Sequence, residues 1–182
     1  MEAWRDHPIR LPPTLSDGVV RLDAPRLEDA KAHWAGEDLE MIRRFDPPLH
    51  RKGTLEQVRG LMAQWAQARA DCGPMFVYAI RAPDGSMEGG VELRRITPER
   101  ANVSYWVYAG FRGRGYASRA LRLIGEAAGG VEGLAQLEAH IDADNLASQR
   151  VARAAGFAAA GEIDDEDVEG RPIKRLLFRK LL

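Results

Sequence analysis

The stretch Asn102 to Ala117 reads Asn-Val-Ser-Tyr-Trp-Val-Tyr-Ala-Gly-Phe-Arg-Gly-Arg-Gly-Tyr-Ala: an extended run, a glycine-rich turn, and the first residues of an amphipathic helix. Gly113 and Gly115 free the turn amides from side-chain bulk. Those amides and the first N–H groups of the helix then converge on one point, with the positive end of the helix dipole behind them. Such a point binds anions, and a pyrophosphate fits it. The spacing is neither a Walker A loop, since no Gly-Lys-Ser/Thr follows, nor the G-x-G-x-x-G dinucleotide fingerprint. A single Arg-Gly-Arg-Gly beside a strand is also not an RNA-binding repeat.

The elements that must position this turn follow from periodicity. Val19 to Leu22 reads as a strand and Pro25 to about Glu37 as a helix, with Asp46, Pro47 and Pro48 breaking the pattern after it. Thr54 with Gln57 is a capping-box pair, and Leu55, Val58, Leu61, Met62 and Trp65 follow at helical spacing to about Ala70. Trp34, Met62 and Trp65 are read as core. The runs Phe76 to Arg81, Gly89 to Ile96 and Asn102 to Tyr108 predict an antiparallel meander, its first hairpin turning at Asp84-Gly85. From Gly115 the period changes to that of a helix, with Ala117, Ala120, Leu121, Ile124 and Ala128 on one side. Leu137, Ala139 and Ile141 alternate with polar residues as in a half-buried strand. Asn145 can cap a further helix that Gly156 ends. Two closing strands, Phe157 to Ile163 and Ile173 to Leu181, flank an acidic hairpin from Asp164 to Gly170, whose charges read as a solvated face.

The chain of 182 residues carries a formal net charge of -1, with 45% hydrophobic and 29% charged residues. These are the proportions of one ordinary globular domain. We expect a flexible leader over residues 1–15 and a single domain over 16–182. The charge balance argues against a nucleic-acid partner, and no apolar run is long enough to span a membrane. Cys72 is the only cysteine, which excludes an intrachain disulfide and points to a reducing, cytoplasmic compartment. His7, His33, His50 and His140 lack metal-ligand spacing and read as incidental, and no metal is expected.

Arg112-Gly113-Arg114-Gly115-Tyr116-Ala117, five residues after the strand valine Val107, resembles the cofactor motif of the GNAT N-acetyltransferase superfamily. Asn145, Ser148, Gly156 and Phe157 resemble that family's second helix motif, and the likeness runs from about Val19 to Leu182. Tyr105-Trp106, Asn145-x-x-Ser148 and Met41-x-x-Arg44-Phe45-Asp46-Pro47 resemble its Rim-type branch, whose members acetylate protein N-termini and whose close relatives acetylate small amines.

The resemblance implies a mixed α/β (α+β) fold: a mostly antiparallel twisted sheet of about seven strands flanked by about four helices. It implies acetyl-coenzyme A as cofactor, held by Tyr105, Trp106, Val107, the residues from Arg112 to Ala117, Asn145 and Ser148. The strand around Tyr105 to Val107 is expected to splay from its neighbour at a bulge. The Val107 N–H would serve the oxyanion, Ser148 the departing thiolate, and Glu166 the acceptor as base, with Glu92 and Glu138 as further candidates. Two departures from the family pattern stand out. Ala152 occupies the position of a frequent acid tyrosine, and Asn102 that of a common strand glutamate. The acceptor is read as a protein N-terminus or small primary amine, acetylated directly in a ternary complex by a monomer or homodimer. A drug or polyamine acetyltransferase and a non-catalytic acyl-coenzyme A sensor are the alternatives.

Overall fold

Three consecutive runs rich in β-branched and aromatic residues pair as the expected meander: β3 (Met75–Arg81), β4 (Met87–Thr97) and β5 (Arg100–Val107). A computed structural model, describing residues 7–45, 52–166 and 171–182, shows how the remaining elements extend them. The sheet has eight strands in the order β1-β2-β3-β4-β5-β6-β8-β7, adding β1 (Thr14–Ser16), β2 (Arg21–Asp23), β6 (Gln136–Asp142), β7 (Ala158–Glu166) and β8 (Pro172–Leu181). Every pairing is antiparallel except β5 with β6.

Because side chains alternate across a strand, the sheet buries two separate layers. One layer joins Tyr78, Val91, Val103, Leu137 and Ile141 to α4 (Tyr116–Ala128) and α5 (Leu146–Ala154). The other joins Val77, Ala79 and Trp106 to α1 (Ala30–Gly36), α2 (Leu39–Phe45) and α3 (Leu55–Ala70). The α3 cap is as its sequence suggests: the Gln57 amide donates to Thr54 Oγ1 at 3.2 Å, and the Thr54 amide donates to the Gln57 side chain at 2.7 Å. Val58, Met62 and Trp65 face the core at one-turn spacing, while Trp34 is partly exposed and donates to the Gly53 carbonyl at 2.8 Å. Gly90 makes room for Trp106, since a Cβ there would lie 2.2 Å from the indole.

Several expectations change. The fold has one strand and one helix more than read. β1 and α2 are too short to leave a periodic signal, and both take their stability from what they pack on. Residues 7–15, within the expected leader, lie against the sheet: Ile9 is fully buried, Tyr78 Oη donates to the Pro12 carbonyl, and Arg69 donates to the Pro13 carbonyl. A buried isoleucine gains about 2 kcal/mol, which holds this segment on the sheet. The Asp46-Pro47-Pro48 break, His50 and the hairpin tip at 167–170 lie outside the described residues.

His33, read as incidental, is 3% exposed in the second layer, edge-on to Trp65 and Trp106, its Nδ1 2.9 Å from Tyr108 Oη. Burial, with a smaller contribution from the Lys52 charge, lowers its pKa to about 4. The unfolded chain therefore binds a proton that the folded chain does not between pH ~6.5 and ~4, and stability falls as the pH drops through that window. Urea unfolding at pH 7 and pH 4.5 should show the wild type losing about 2 kcal/mol more than His33→Gln over this interval. Equal losses would contradict a neutral buried His33.

Candidate active site

The site begins with a failure of pairing. β5 and β6 are in parallel register only from Arg100 with Gln136 to Asn102 with Glu138, after which they part. The Tyr108 amide donates to the Glu88 carbonyl at 2.9 Å, so by the alternation of an antiparallel ladder Val107 and Tyr105 are non-hydrogen-bonded positions opposite Gly89 and Val91. Their N–H groups point away from β4, into the gap that β6 has left. The splay is thus as expected, but not at a bulge. The β4–β5 register runs unbroken from Gly89 with Val107 to Arg95 with Ala101, and its only shift lies between Arg95 and Thr97.

Beyond Val107 the chain makes a single 3₁₀ turn (Ala109–Phe111) and enters α4 through Gly113 and Gly115, at φ +79° and +77°. These left-handed conformations suit glycine, and a Cβ would project into open space at Gly113 and reach only Ser118 Oγ, 4.0 Å away, at Gly115. Among the described residues no backbone acceptor serves the amides from Gly113 to Ser118; the first helical bond is Arg119 N–H to the Gly115 carbonyl. This is an amide cradle with room for a phosphate-sized anion.

The two arginines of the turn do not point into it. Arg112 Nε donates to the Val107 carbonyl at 2.9 Å and Nη1 pairs with Asp38 at 2.7 Å, while Arg114 lies over the Phe111 ring and donates to the Gly110 carbonyl. The motif's arginine therefore caps a strand carbonyl and ties the turn to the residue before α2. Asp38 is held below the usual carboxylate range, because hydrogen bonds from Arg112 and the Met41 amide outweigh the opposing effect of burial.

Across the gap, α5 is capped by Asn145, whose Oδ1 accepts from the Ser148 amide at 3.0 Å. Ser148 Oγ lies 2.7 Å from Tyr105 Oη, which also donates to the Ser148 carbonyl at 2.9 Å. Burial raises the Tyr105 pKa to about 12, so this phenol keeps its proton and orients the serine. Ala152 is buried in the core and no side chain reaches the site from there. Trp106, grouped with the cofactor residues above, lies on the opposite face from Tyr105, among Trp65, His33 and Phe45.

A cavity of about 580 Å³ passes through the gap, lined by Tyr105, Val107, Gly113, Gly115 and Ser148 from the α4–α5 side and by Arg44, Phe45, Asn102, Trp106 and His140 from the α2 side. None of the three carboxylates read as bases lines it. Glu166 is exposed at the end of β7, opposite Pro172; it does not reach the cavity because β7 is the edge strand, separated from β6 by β8. Glu92 pairs with Arg94 at 2.9 Å. Glu138 is buried, and despite that burial Arg179 and Arg100 hold it below its ordinary pKa. His140 is the lining residue that the sequence reading passed over, and its only signal was a polar side chain on a half-buried strand.

Two opposed faces open onto one cavity, one with an anion cradle and the other with polar walls. That is the layout of a group-transfer enzyme whose donor and acceptor meet inside a parted sheet. Residues 20–158 match the family model of the acetyltransferase (GNAT) domain, which is well over half of the chain. The chain belongs to the GNAT acetyltransferase family and is an N-acetyltransferase. Similar solved structures include RimJ of Mycobacterium smegmatis in complex with a coenzyme A disulfide (TM-score 0.79, 23% identity, covering 96% of this chain and 88% of that one). The ribosomal-protein α-N-acetyltransferase RimL in complex with coenzyme A is also similar (TM-score 0.77, 18% identity, 93% and 98% covered). So is the microcin self-immunity acetyltransferase MccE with acetyl-CoA and AMP (TM-score 0.77, 16% identity, 91% and 94% covered). No curated protein matches the sequence.

The cradle gives a direct test. Acetyl-CoA at ~100 times its Kd should raise Tm by ~5 to 10 °C, and Gly115→Glu should abolish that shift. Gly115→Ala, which adds the backbone strain without the charge, separates strain from anion exclusion. A folded Gly115→Glu protein that keeps the full shift would place the pyrophosphate elsewhere.

Proposed function

We propose that the protein transfers the acetyl group of acetyl-CoA directly to a primary amine, a protein N-terminus or a small amine, in a ternary complex. The observation that carries this reading is the cavity through the parted strands, which lets donor and acceptor approach one carbonyl from opposite faces without a covalent enzyme intermediate.

In this reading the amide cradle from Gly113 to Ser118 holds the pyrophosphate, and acetyl-CoA supplies an activated acyl carbon at the gap. The N–H groups of Tyr105 and Val107 point into that gap, where the pantetheine arm and the developing oxyanion need donors. We assign the oxyanion to Val107. Its carbonyl is already occupied by Arg112, leaving the N–H as its free gap-facing group. When Tyr105 turns its hydroxyl proton from the Ser148 carbonyl to Ser148 Oγ, the serine proton is free to stabilise the departing thiolate, whose ordinary pKa near ~8.5 makes full proton transfer unnecessary.

The acceptor preference follows from proton arithmetic. An α-amino group with a pKa of about 7.7 to 8.0 is appreciably neutral at pH 7, whereas a lysine near ~10.4 is neutral in about one molecule in a few thousand. The likeness to RimL and RimJ supports the protein N-terminus as the first class to test. Of the acidic hairpin, Asp164 is paired with Lys174 at 3.0 Å and Asp165 with Arg175 at 2.7 Å, so neither is left to attract an amine.

A panel of peptides with free Ser, Ala or Met N-termini, together with phenethylamine and spermidine, would identify the acceptor by coenzyme A release. Ser148→Ala should then lower kcat by roughly 10- to 100-fold with the acetyl-CoA thermal shift retained. An unchanged kcat would remove Ser148 from the chemistry.

A further inference from the structure

Among the described residues that line the acceptor side of the cavity, His140 is the one titratable side chain that makes no hydrogen bond within the protein. On β6 the even-numbered residues face the α1–α3 layer, which puts Glu138, His140 and Asp142 in a row along the edge from which β5 departs. Asp142 is bound by Arg44 from α2 and by Arg175 from β8, the latter at 2.9 Å. Glu40 of α2 is bound by Arg44 at 2.6 Å. Glu138 Oε1 accepts from Arg179 of β8 at 3.1 Å and from Gln136 at 2.8 Å, with Arg100 of β5 at 3.5 Å. Its other oxygen, Oε2, lies 3.6 Å from His140 Nε2.

His140 Nε2 is sealed from solvent and has no hydrogen-bond partner among the described residues. The side chain is 24% exposed and lines the cavity, so Nδ1 is the nitrogen left accessible. Continuing the parallel register past Asn102 and Glu138 places His140 across the widening gap from Ser104, one residue before Tyr105 and three before Val107, whose amides face the gap. β5 offers only neutral Asn102 and Ser104 to this position. The carboxylate pinned by two arginines on one oxygen faces Nε2 with the other across 3.6 Å, beyond hydrogen-bond distance but close enough for its charge to favour a proton on that nitrogen.

We propose that His140 is the general base for the acceptor amine, with Glu138 as its positioning residue. This rests on the amine-acceptor reading above. Nε2 keeps its proton toward Glu138, and Nδ1 takes one proton from the acceptor ammonium and passes it to solvent. The nitrogen lone pair then forms the C–N bond as the C–S bond breaks, and the second nitrogen proton ends on the released thiol. The net reaction is ammonium plus thioester giving amide, thiol and one proton.

The experiment uses the full-length protein and whichever amine of the panel the wild type turns over. His140→Gln should lower kcat/KM at pH 7 by about 100-fold and remove the acidic limb of the pH profile, while the acetyl-CoA thermal shift is unchanged. Glu138→Gln should lower kcat/KM less than His140→Gln does and move the neutral ring from the Nε2-protonated toward the Nδ1-protonated tautomer in the histidine NMR spectrum, an effect that a merely structural role would not produce. Histidine-labelled NMR, with His140 assigned from the His140→Gln spectrum, should show the neutral ring protonated on Nε2. Turnover by His140→Gln within threefold of wild type, with the same limb, overturns the base role alone. A neutral ring protonated on Nδ1 does the same. Absence of wild-type turnover on every amine, with acetyl-CoA still bound, overturns the acceptor reading and the base role with it.

Discussion

A buried backbone group without a partner is costly, and the parting of β5 from β6 creates several at once. The rest of the structure can be understood as the response. β4 keeps full register with β5 along the opened stretch, so the strand stays straight while its free edge faces inward. Arg112 returns from the turn to cap the Val107 carbonyl, and Tyr105 and Ser148 join the other lip of the gap to the start of α5. What remains uncapped is the amide edge that a ligand can use. Function and instability therefore share one location, and an acyl donor with its own amides and carbonyl can complete the ladder that the protein leaves unfinished.

The acceptor wall is held differently. α2 contributes Arg44, which lies between Glu40 on its own helix and Asp142 on β6, and Asp142 is shared with Arg175 of β8, which also holds Asp165 of β7. This chain of alternating charges fastens a seven-residue helix that is too short to be stable alone. It also leaves the charged side chains of this wall paired with one another. Partly exposed pairs of this kind contribute modestly one by one; their value here is to fix a geometry shared by four elements.

Much of this was legible from residue order. The Thr54–Gln57 box, the Asn145 cap and the glycines at 113 and 115 act through neighbours within a few residues, and the structure places each as its local chemistry requires. The interactions that escaped are those made at long range. Ile9 in the core, α2 under its ion chain and Arg81 with Asp29 at 2.8 Å join residues far apart in sequence, and no periodicity announces them. In sequence, Glu138 reads as a candidate base and His140 as incidental; what escaped is how the two are placed together, and for a subtler reason. Two polar residues at alternate positions are also what a solvated strand face looks like, and only the arrival of Arg100 and Arg179 from other strands separates the cases.

The guanidinium of Arg112 touches both the strand edge that carries the Tyr105 and Val107 amides and Asp38, the residue that leads into α2 on the other side of the cavity. If a bound phosphate draws this arginine away, it also releases Asp38 and loosens the entry to that helix. Donor occupancy and acceptor affinity are then thermodynamically linked through a single side chain. Linkage is reciprocal, so an acceptor that prefers either arrangement of α2 must change the donor's affinity by the same factor.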